Sequence, residues 1–308
     1  MLTIVGLHKT YHRKKQPPLN ALQNINLNIG KGMFGLLGPN GAGKSSLMRT
    51  IATLQPADSG KVALDGVDVL SNPGFMRSNL GYLPQEFGVY NGVSAQDLLH
   101  YLAKLKGIYS PQERQRQIDE LLEKVNLREH RKGAVSRFSG GMKQRFGIAQ
   151  ALLGNPRVIV VDEPTAGLDP QERNRFHNLL VDVSEHKVVL LSTHIVEDVS
   201  NLCTDMAIMS NGCVVCQGSP QELLSHFKNK VWQAYIPKQN LSQIKQQFQV
   251  ISQRFCAGEV SVHVLSEQQP AANFLSIAPD LEDAYFATLM LNNKHFSESQ
   301  RQSGVNHD

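Results

Sequence analysis

The stretch Gly38-Pro39-Asn40-Gly41-Ala42-Gly43-Lys44-Ser45 fills the pattern G-x-x-x-x-G-K-[ST], directly after the apolar run Met33-Phe34-Gly35-Leu36-Leu37. That run reads as a buried strand and Ser45 to Leu54 as a helix, so this part of the chain is bound to a strand–loop–helix unit. Glycines at 38, 41 and 43 let successive backbone N–H groups turn inward and form a concave anion site. The helix beginning near Gly43 adds the positive end of its dipole. Lys44 then offers a point charge to β- and γ-phosphates, and the Ser45 hydroxyl is placed for magnesium. A Gly-rich turn with a chance lysine is the plain alternative, and the flanking strand and helix argue against it.

Arg157-Val158-Ile159-Val160-Val161-Asp162-Glu163-Pro164 is a short β-branched run ending in two carboxylates. Its continuous apolarity is the pattern of a parallel-sheet strand buried on both faces. Asp162 at the strand tip suits a magnesium ion, and Glu163, alternating to the other side, suits the polarisation of water. Alone, such a pair is more often a solvated strand end; beside a phosphate loop the functional reading is favoured.

A second Gly-rich helix start follows at Phe138-Ser139-Gly140-Gly141-Met142-Lys143-Gln144-Arg145, heading an amphipathic stretch with Met142, Phe146, Ala149, Leu152 and Leu153. Ser139 can cap this helix, or with the following N–H groups it can face a phosphate. Two anion-binding helix ends with a single lysine suggest that two copies meet face to face, each sealing the nucleotide of the other. Gln85 after Gly81-Tyr82-Leu83-Pro84, Asp169 in Gly167-Leu168-Asp169-Pro170, and His194 after Leu190-Leu191-Ser192-Thr193 each close a segment with one polar group.

Taken together and in this order, these motifs resemble the ATP-binding cassette (ABC) ATPases, over about residues 1 to 220. The resemblance implies a P-loop NTPase of the ABC type: an α/β fold with a mixed β core, an antiparallel β subdomain and an α-helical subdomain at about 88–138. It implies ATP and Mg2+ as ligands. By position, Gly38 to Ser45 and the adjoining Ser46 hold the nucleotide, and Ser139, Gly140, Gly141 and Met142 are the cassette signature. Gln85 is the magnesium-contacting glutamine that senses the membrane partner, with Ser45 and Asp162 as its fellow metal residues. Glu163 is the catalytic base, Asp169 the aspartate that bridges the dimer and His194 the switch at the γ-phosphate; Lys44 completes the catalytic set. Tyr11 matches the aromatic that stacks on adenine. Departures are modest: Met142 stands where many members have Gln, Phe138 where many have Leu, and Ser46 where Thr is common. None removes a charge or a catalytic donor.

Composition limits the alternatives. The 308 residues are 41% hydrophobic and 19% charged, ordinary for a folded globular chain of one large and one small domain. Thirty-one basic against 27 acidic residues give a net charge of +4, too mild for a dedicated nucleic-acid binder. The basic clusters His12-Arg13-Lys14-Lys15 and Arg128 to Lys132 read as solvated loops. No apolar run reaches the ~20 residues needed to span a bilayer, and Met1-Leu2-Thr3-Ile4-Val5 lacks a signal-peptide layout. The chain is therefore expected in the cytosol, and the resemblance places it at the cytoplasmic face of the inner membrane, peripheral and held by a transmembrane subunit. Cys203, Cys213, Cys216 and Cys256 do not suggest a disulfide scaffold, and the Cys213/Cys216 spacing on a strand argues against a metal or redox pair.

Alternation in Leu2 to His8 and Asn24 to Ile29 predicts an antiparallel layer. Capping-box starts at Ser94 and Ser110 open the helical subdomain. Past a boundary near Ser219-Pro220, residues 221–296 read as a small α+β extension, with strands at Trp232 to Ile236 and Val260 to Leu265. A polar helix lies around Leu241 to Phe248, and Asp280 caps a last amphipathic helix. Residues 297–308 are polar and expected to be disordered. Leu281-Glu282-Asp283-Ala284-Tyr285-Phe286 looks like the closing element of the C-terminal extension in bacterial drug and antibiotic exporter cassettes, where the resemblance implies a role in dimerisation or regulation. The favoured reading is the ATP-hydrolysing subunit of an exporter, acting as a homodimer on a separately encoded permease, with no nucleic acid. A soluble cassette acting on ribosomes or DNA generally has two cassettes or a long insertion, and a purely regulatory module has no need of Lys44, Asp162, Glu163 and His194 together.

Overall fold

Parallel pairing explains why the chemical motifs meet. The computed structural model describes the chain except residues 13, 15, 86–87, 89–90, 166–167, 257 and 304–308, and only the backbone of 294–303. In chain order it begins with β1 (Leu2–Tyr11), β2 (Leu19–Ile29), β3 (Gly32–Leu37), α1 (Lys44–Ile51), β4 (Ser59–Leu64) and β5 (Val67–Asp68). Then come α2 (Pro73–Asn79), β6 (Leu80–Leu83), α3 (Ala95–Leu105), α4 (Pro111–Lys124), α5 (Gly140–Leu152), β7 (Val158–Asp162), α6 (Pro170–Ser184) and β8 (Val188–Thr193). The remainder is α7 (Val196–Leu202), β9 (Asp205–Ser210), β10 (Cys213–Gly218), α8 (Pro220–His226), β11 (Val231–Pro237), α9 (Leu241–Gln247), β12 (Val250–Cys256), β13 (Glu259–Leu265), β14 (Leu275–Ser276) and α10 (Leu281–Ser303).

The central sheet has the order β10-β9-β3-β8-β7-β6, parallel except for the β9–β10 pair. Its register sets Leu37 beside Thr193 and Asp162 beside Ser192. The segments that follow β3, β7 and β8 therefore leave one carboxyl-end edge together, and these are the phosphate loop, Glu163 and His194. In open parallel sheets this edge is where ligands bind. The antiparallel sheet β2-β1-β4-β5 covers one face, with Leu2, Ile4, Leu27 and Ile29 packed against Phe34, Leu36 and Leu47. Strict alternation in the sequence produces this half-buried layer, interrupted by bulges in β1.

On the other face, α3, α4 and α5 build the helical subdomain over Leu99, Ile118, Leu122 and Phe146. Ser94 and Ser110 accept from Asp97 N and Glu113 N as their capping patterns predict. In the C-terminal region the sheet β12-β13-β11-β14 encloses a separate small core of Ala234, Ile236, Val260, Val262 and Phe274. β12 and α2 are elements that sequence patterning passed over. α10 does more than close that extension: Leu281, Ala284 and Tyr285 join the main core. The disorder expected from 297 gives way to helix, since α10 continues to Ser303; residues 304–308 lie outside the described residues. The four cysteines are free thiols.

Candidate active site

Lys44 opens α1 but does not point away from its own loop. Its Nζ donates to Gly38 O at 2.6 Å and Pro39 O at 3.2 Å, and lies 3.8 Å from Glu163 Oε1. Burial pulls its pKa below the ordinary lysine value, opposed by the negative fields of Glu163 and Asp162. Gly43, at the helix entry, has φ 105°, and a Cβ there would stand 2.4 Å from Ala21 O. Only glycine lets the loop turn into the helix at this point. α1 has no side-chain cap, so its first N–H groups face the loop's concavity without a protein side chain to satisfy them.

Asp162 is buried at the tip of β7, and its Oδ1 has no hydrogen-bond partner among the described residues. Burial pushes this carboxyl above the usual range, while the Ser192 and Ser45 hydroxyls beside it pull it back. An orphan buried oxygen next to a serine hydroxyl is a donor set suited to a hard dication such as Mg2+, which takes oxygen ligands.

Glu163 leaves the strand differently from the simple alternation expected of it. β7 ends at Asp162, and Glu163 takes a left-handed backbone with φ 47°, anchored by its N–H to Ser192 O at 2.9 Å. A non-glycine residue in that region costs about 1 kcal/mol or more and points to function when observed. The turn gathers three partners around one carboxylate: Lys44 at 3.8 Å, His194 Nδ1 at 3.3 Å and Gln85 Nε2 at 3.4 Å.

Lys44, Gln85 and Glu163 border a cavity of about 770 Å³, lined also by the rest of Pro39 to Ser46 and by Tyr11; among the described residues, Gly38, Asp162 and His194 are not part of its lining. The Tyr11 hydroxyl donates to Gln55 Oε1 at 2.7 Å and can accept from the Ser46 hydroxyl at 3.3 Å, which fixes its ring at the cavity wall. Sequence reasoning missed Arg49, Asn20, Gln23 and Asn211, which also line it. Arg49 had a readable signal, since it sits four residues after Ser45 on α1. The others come from distant strands and turns and had none.

The signature residues are elsewhere. Ser139, Gly140, Gly141, Met142 and Asp169 are absent from the cavity lining among the described residues. Ser139 caps α5, its Oγ accepting from Met142 N at 3.2 Å. Gly141 presses on α6 so closely that a Cβ would meet Glu172 Oε2 at 2.5 Å, and Met142 packs on the main core. Asp169 caps α6 through Oδ1, accepting from Glu172 N at 2.9 Å. One chain thus brings Lys44, Glu163, His194 and Asp162 to one edge of the central sheet, with the start of α5 outside the cavity.

Comparisons with known proteins identify the family. A family model described as ABC transporter matches residues 22–166. The uncharacterized ABC transporter ATP-binding protein YxlF of Bacillus subtilis is 35% identical over 75% of this chain and 75% of its own. The linearmycin resistance ATP-binding protein LnrL of the same organism is 34% identical over 73% of this chain and 71% of its own. Some longer relatives are spanned over only 26% or 27% of their length. Among solved structures, the dimeric bacterial ABC transporter cassette MJ0796 superposes with a TM-score of 0.65 at 26% identity, over 71% of this chain and 98% of its own. Its post-hydrolysis dimer with ADP and Pi gives 0.64 at 26%, over the same shares of the two chains.

Proposed function

This chain belongs to the ABC transporter family as an ATP-binding, ATP-hydrolysing cassette, and from that premise we propose that two copies close on two Mg-ATP and drive a separate transmembrane subunit in export. The observation that carries the reading is the Glu163 carboxylate, gathered by Lys44, Gln85 and His194 at the mouth of a phosphate-loop cavity. In this reading the uncapped start of α1 and the Lys44 ammonium hold the β- and γ-phosphates. The Tyr11 ring offers its face to adenine. Glu163 takes a proton from the attacking water, and His194, within 3.3 Å of Glu163, orients that carboxylate and meets the γ-phosphate. Ser45, Gln85 and Asp162 are the residues that would hold Mg2+, which neutralises phosphate charge when bound.

Ser139 to Met142 of one copy and its Asp169 complete the pocket of the other. Closure does work only if ATP binds the closed pair better than the open one. Export, rather than import, is supported by the likeness to a relative named for linearmycin resistance. No helix among the described residues is long and apolar enough to cross a membrane. Attachment at the cytoplasmic face of the membrane is accordingly assigned to the partner subunit, and the transported compound to the pathway through it. The test is phosphate release by purified protein with Mg-ATP. Glu163→Gln should slow it by roughly 10²–10⁴-fold, the usual worth of a positioned general base. An unchanged rate overturns the assignment.

A further inference from the structure

Behind the carboxyl-end edge lies Asp198 on α7, with no solvent exposure. Four side chains converge on its carboxylate from two other segments and its own approach: Thr165 and Thr193 reach Oδ2 at 2.8 and 3.2 Å, while Arg173 and His177 reach Oδ1. Arg173 does so through both Nε at 2.9 Å and a terminal nitrogen at 2.6 Å, and His177 Nε2 stands 3.0 Å away. Burial alone would push this carboxyl upward, but His177, Arg173 and Thr165 outweigh it and hold it at about 2.

The chain positions of these partners matter more than their number. Thr165 follows Glu163 by two residues, and Thr193 immediately precedes His194. Thr193 Oγ1 also accepts from Ile195 N at 3.0 Å, holding the chain on both sides of His194. Arg173 and His177 stand on α6, the helix that Asp169 caps. The same helix reaches the signature end of α5, because Glu172 Oε2 lies 3.4 Å from Arg145 Nε and packs under Gly141. One buried charge therefore joins the segment after Glu163, the segment before His194 and the helix that abuts the signature. Apolar side chains of similar volume would fill this space without the desolvation cost of an ion pair, so packing alone does not account for it.

We propose that Asp198 is a positioning residue for hydrolysis, its carboxylate holding Glu163 and His194 in register with α6 and, through it, with the signature helix. This rests on the reading of Glu163 as base and His194 as switch. Asp198 touches no reacting atom in it; it acts through Thr165, Thr193 and Arg173. The expected consequence of loosening such a clamp is a lower kcat with nucleotide affinity retained, since the phosphate loop and Lys44 are built on β3 and α1.

The test compares Asp198→Asn, Thr165→Val and Thr165→Ser in the full chain, reading phosphate release, mant-ATP affinity and thermal unfolding. Asp198→Asn keeps the shape but loses the charge, and should lower kcat by roughly tenfold to a hundredfold, as misplacements near 1 Å do. Its Kd for mant-ATP should stay within about twofold, the signature of an interaction used only in the reaction step. Thr165→Val removes one arm and should lower kcat by about three- to tenfold, with Thr165→Ser restoring it to within about twofold. If Asp198→Asn does not fold, the Thr165 pair decides alone. A folded Asp198→Asn or a Thr165→Val with wild-type kcat, or a loss of kcat matched by a loss of affinity and not restored by Thr165→Ser, overturns the inference. A wild-type rate in Glu163→Gln would instead remove the reading beneath it, so the two failures are told apart.

Discussion

The two Gly-rich helix starts, α1 at Gly43-Lys44 and α5 at Ser139-Gly140, look alike as sequence and differ as structure. At α1 no side chain caps the first turn, and the lysine folds back over its own loop. At α5 the serine caps the first turn, its Oγ accepting from Met142 N. An uncapped helix end lining a cavity leaves its orphan N–H groups and its positive dipole end open to water or to an anion. A capped end at the surface is content without one and gains a ligand only when a neighbour brings it. In the proposed reading, the contrast separates the half of the fuel site that this chain builds alone from the half it would supply to its twin.

Substitutions can break or sharpen that contrast. The largest effect belongs to the built half: Lys44→Ala should reduce phosphate release by roughly 10²-fold or more, with loss of nucleotide binding in the same titration, because the phosphates lose a charge at a preorganised site. At the supplied half, Ser139→Ala should leave single-chain nucleotide affinity unchanged, lower the catalytic rate and cost about 1 kcal/mol of stability through the lost cap. If Ser139→Ala weakens nucleotide binding by the isolated chain as much as Lys44→Ala does, the two ends are equivalent and the contrast fails.

The buried charge behind both halves has an acid signature. Asp198 titrates at about 2 when folded, below the ordinary 3.8, so its contribution is present above about pH 4 and is lost as pH falls toward 2. Denaturant titrations should register this as about 2 kcal/mol that is missing from Asp198→Asn at neutral pH. The smallest effect is expected at Tyr11, the proposed adenine wall. Tyr11→Ala should weaken mant-ATP binding by about 1–2 kcal/mol through lost stacking, and Tyr11→Phe, which removes only the bonds to Ser46 and Gln55, should leave it nearly intact.

Much of this was legible in the chain because its chemistry is local. A phosphate loop is eight consecutive residues between a strand and a helix, and Asp162 sits at the end of a run whose apolarity announces a parallel strand. Alternation in β1 and β2, and Ser caps at 94 and 110, are likewise written within a few residues. What could not be read is what the tertiary structure imposes. The left-handed turn at Glu163 replaces the alternation expected of a strand and is the reason its carboxylate meets Lys44 and His194. The Asp198 cluster joins residues 33, 25 and 5 positions apart, with no local pattern to mark it. α10 was expected to close the C-terminal extension, yet Leu281, Ala284 and Tyr285 belong to the core of the cassette, because an amphipathic helix packs on whichever apolar surface the fold presents.

The most direct test of the divided site is the mass of the Glu163→Gln chain in sedimentation, with and without Mg-ATP. The account predicts a 34.1 kDa species without nucleotide and one of twice that mass with it, and no doubling when Ser139→Arg is added although mant-ATP still binds. A chain saturated with Mg-ATP that still sediments as a monomer would contradict the account.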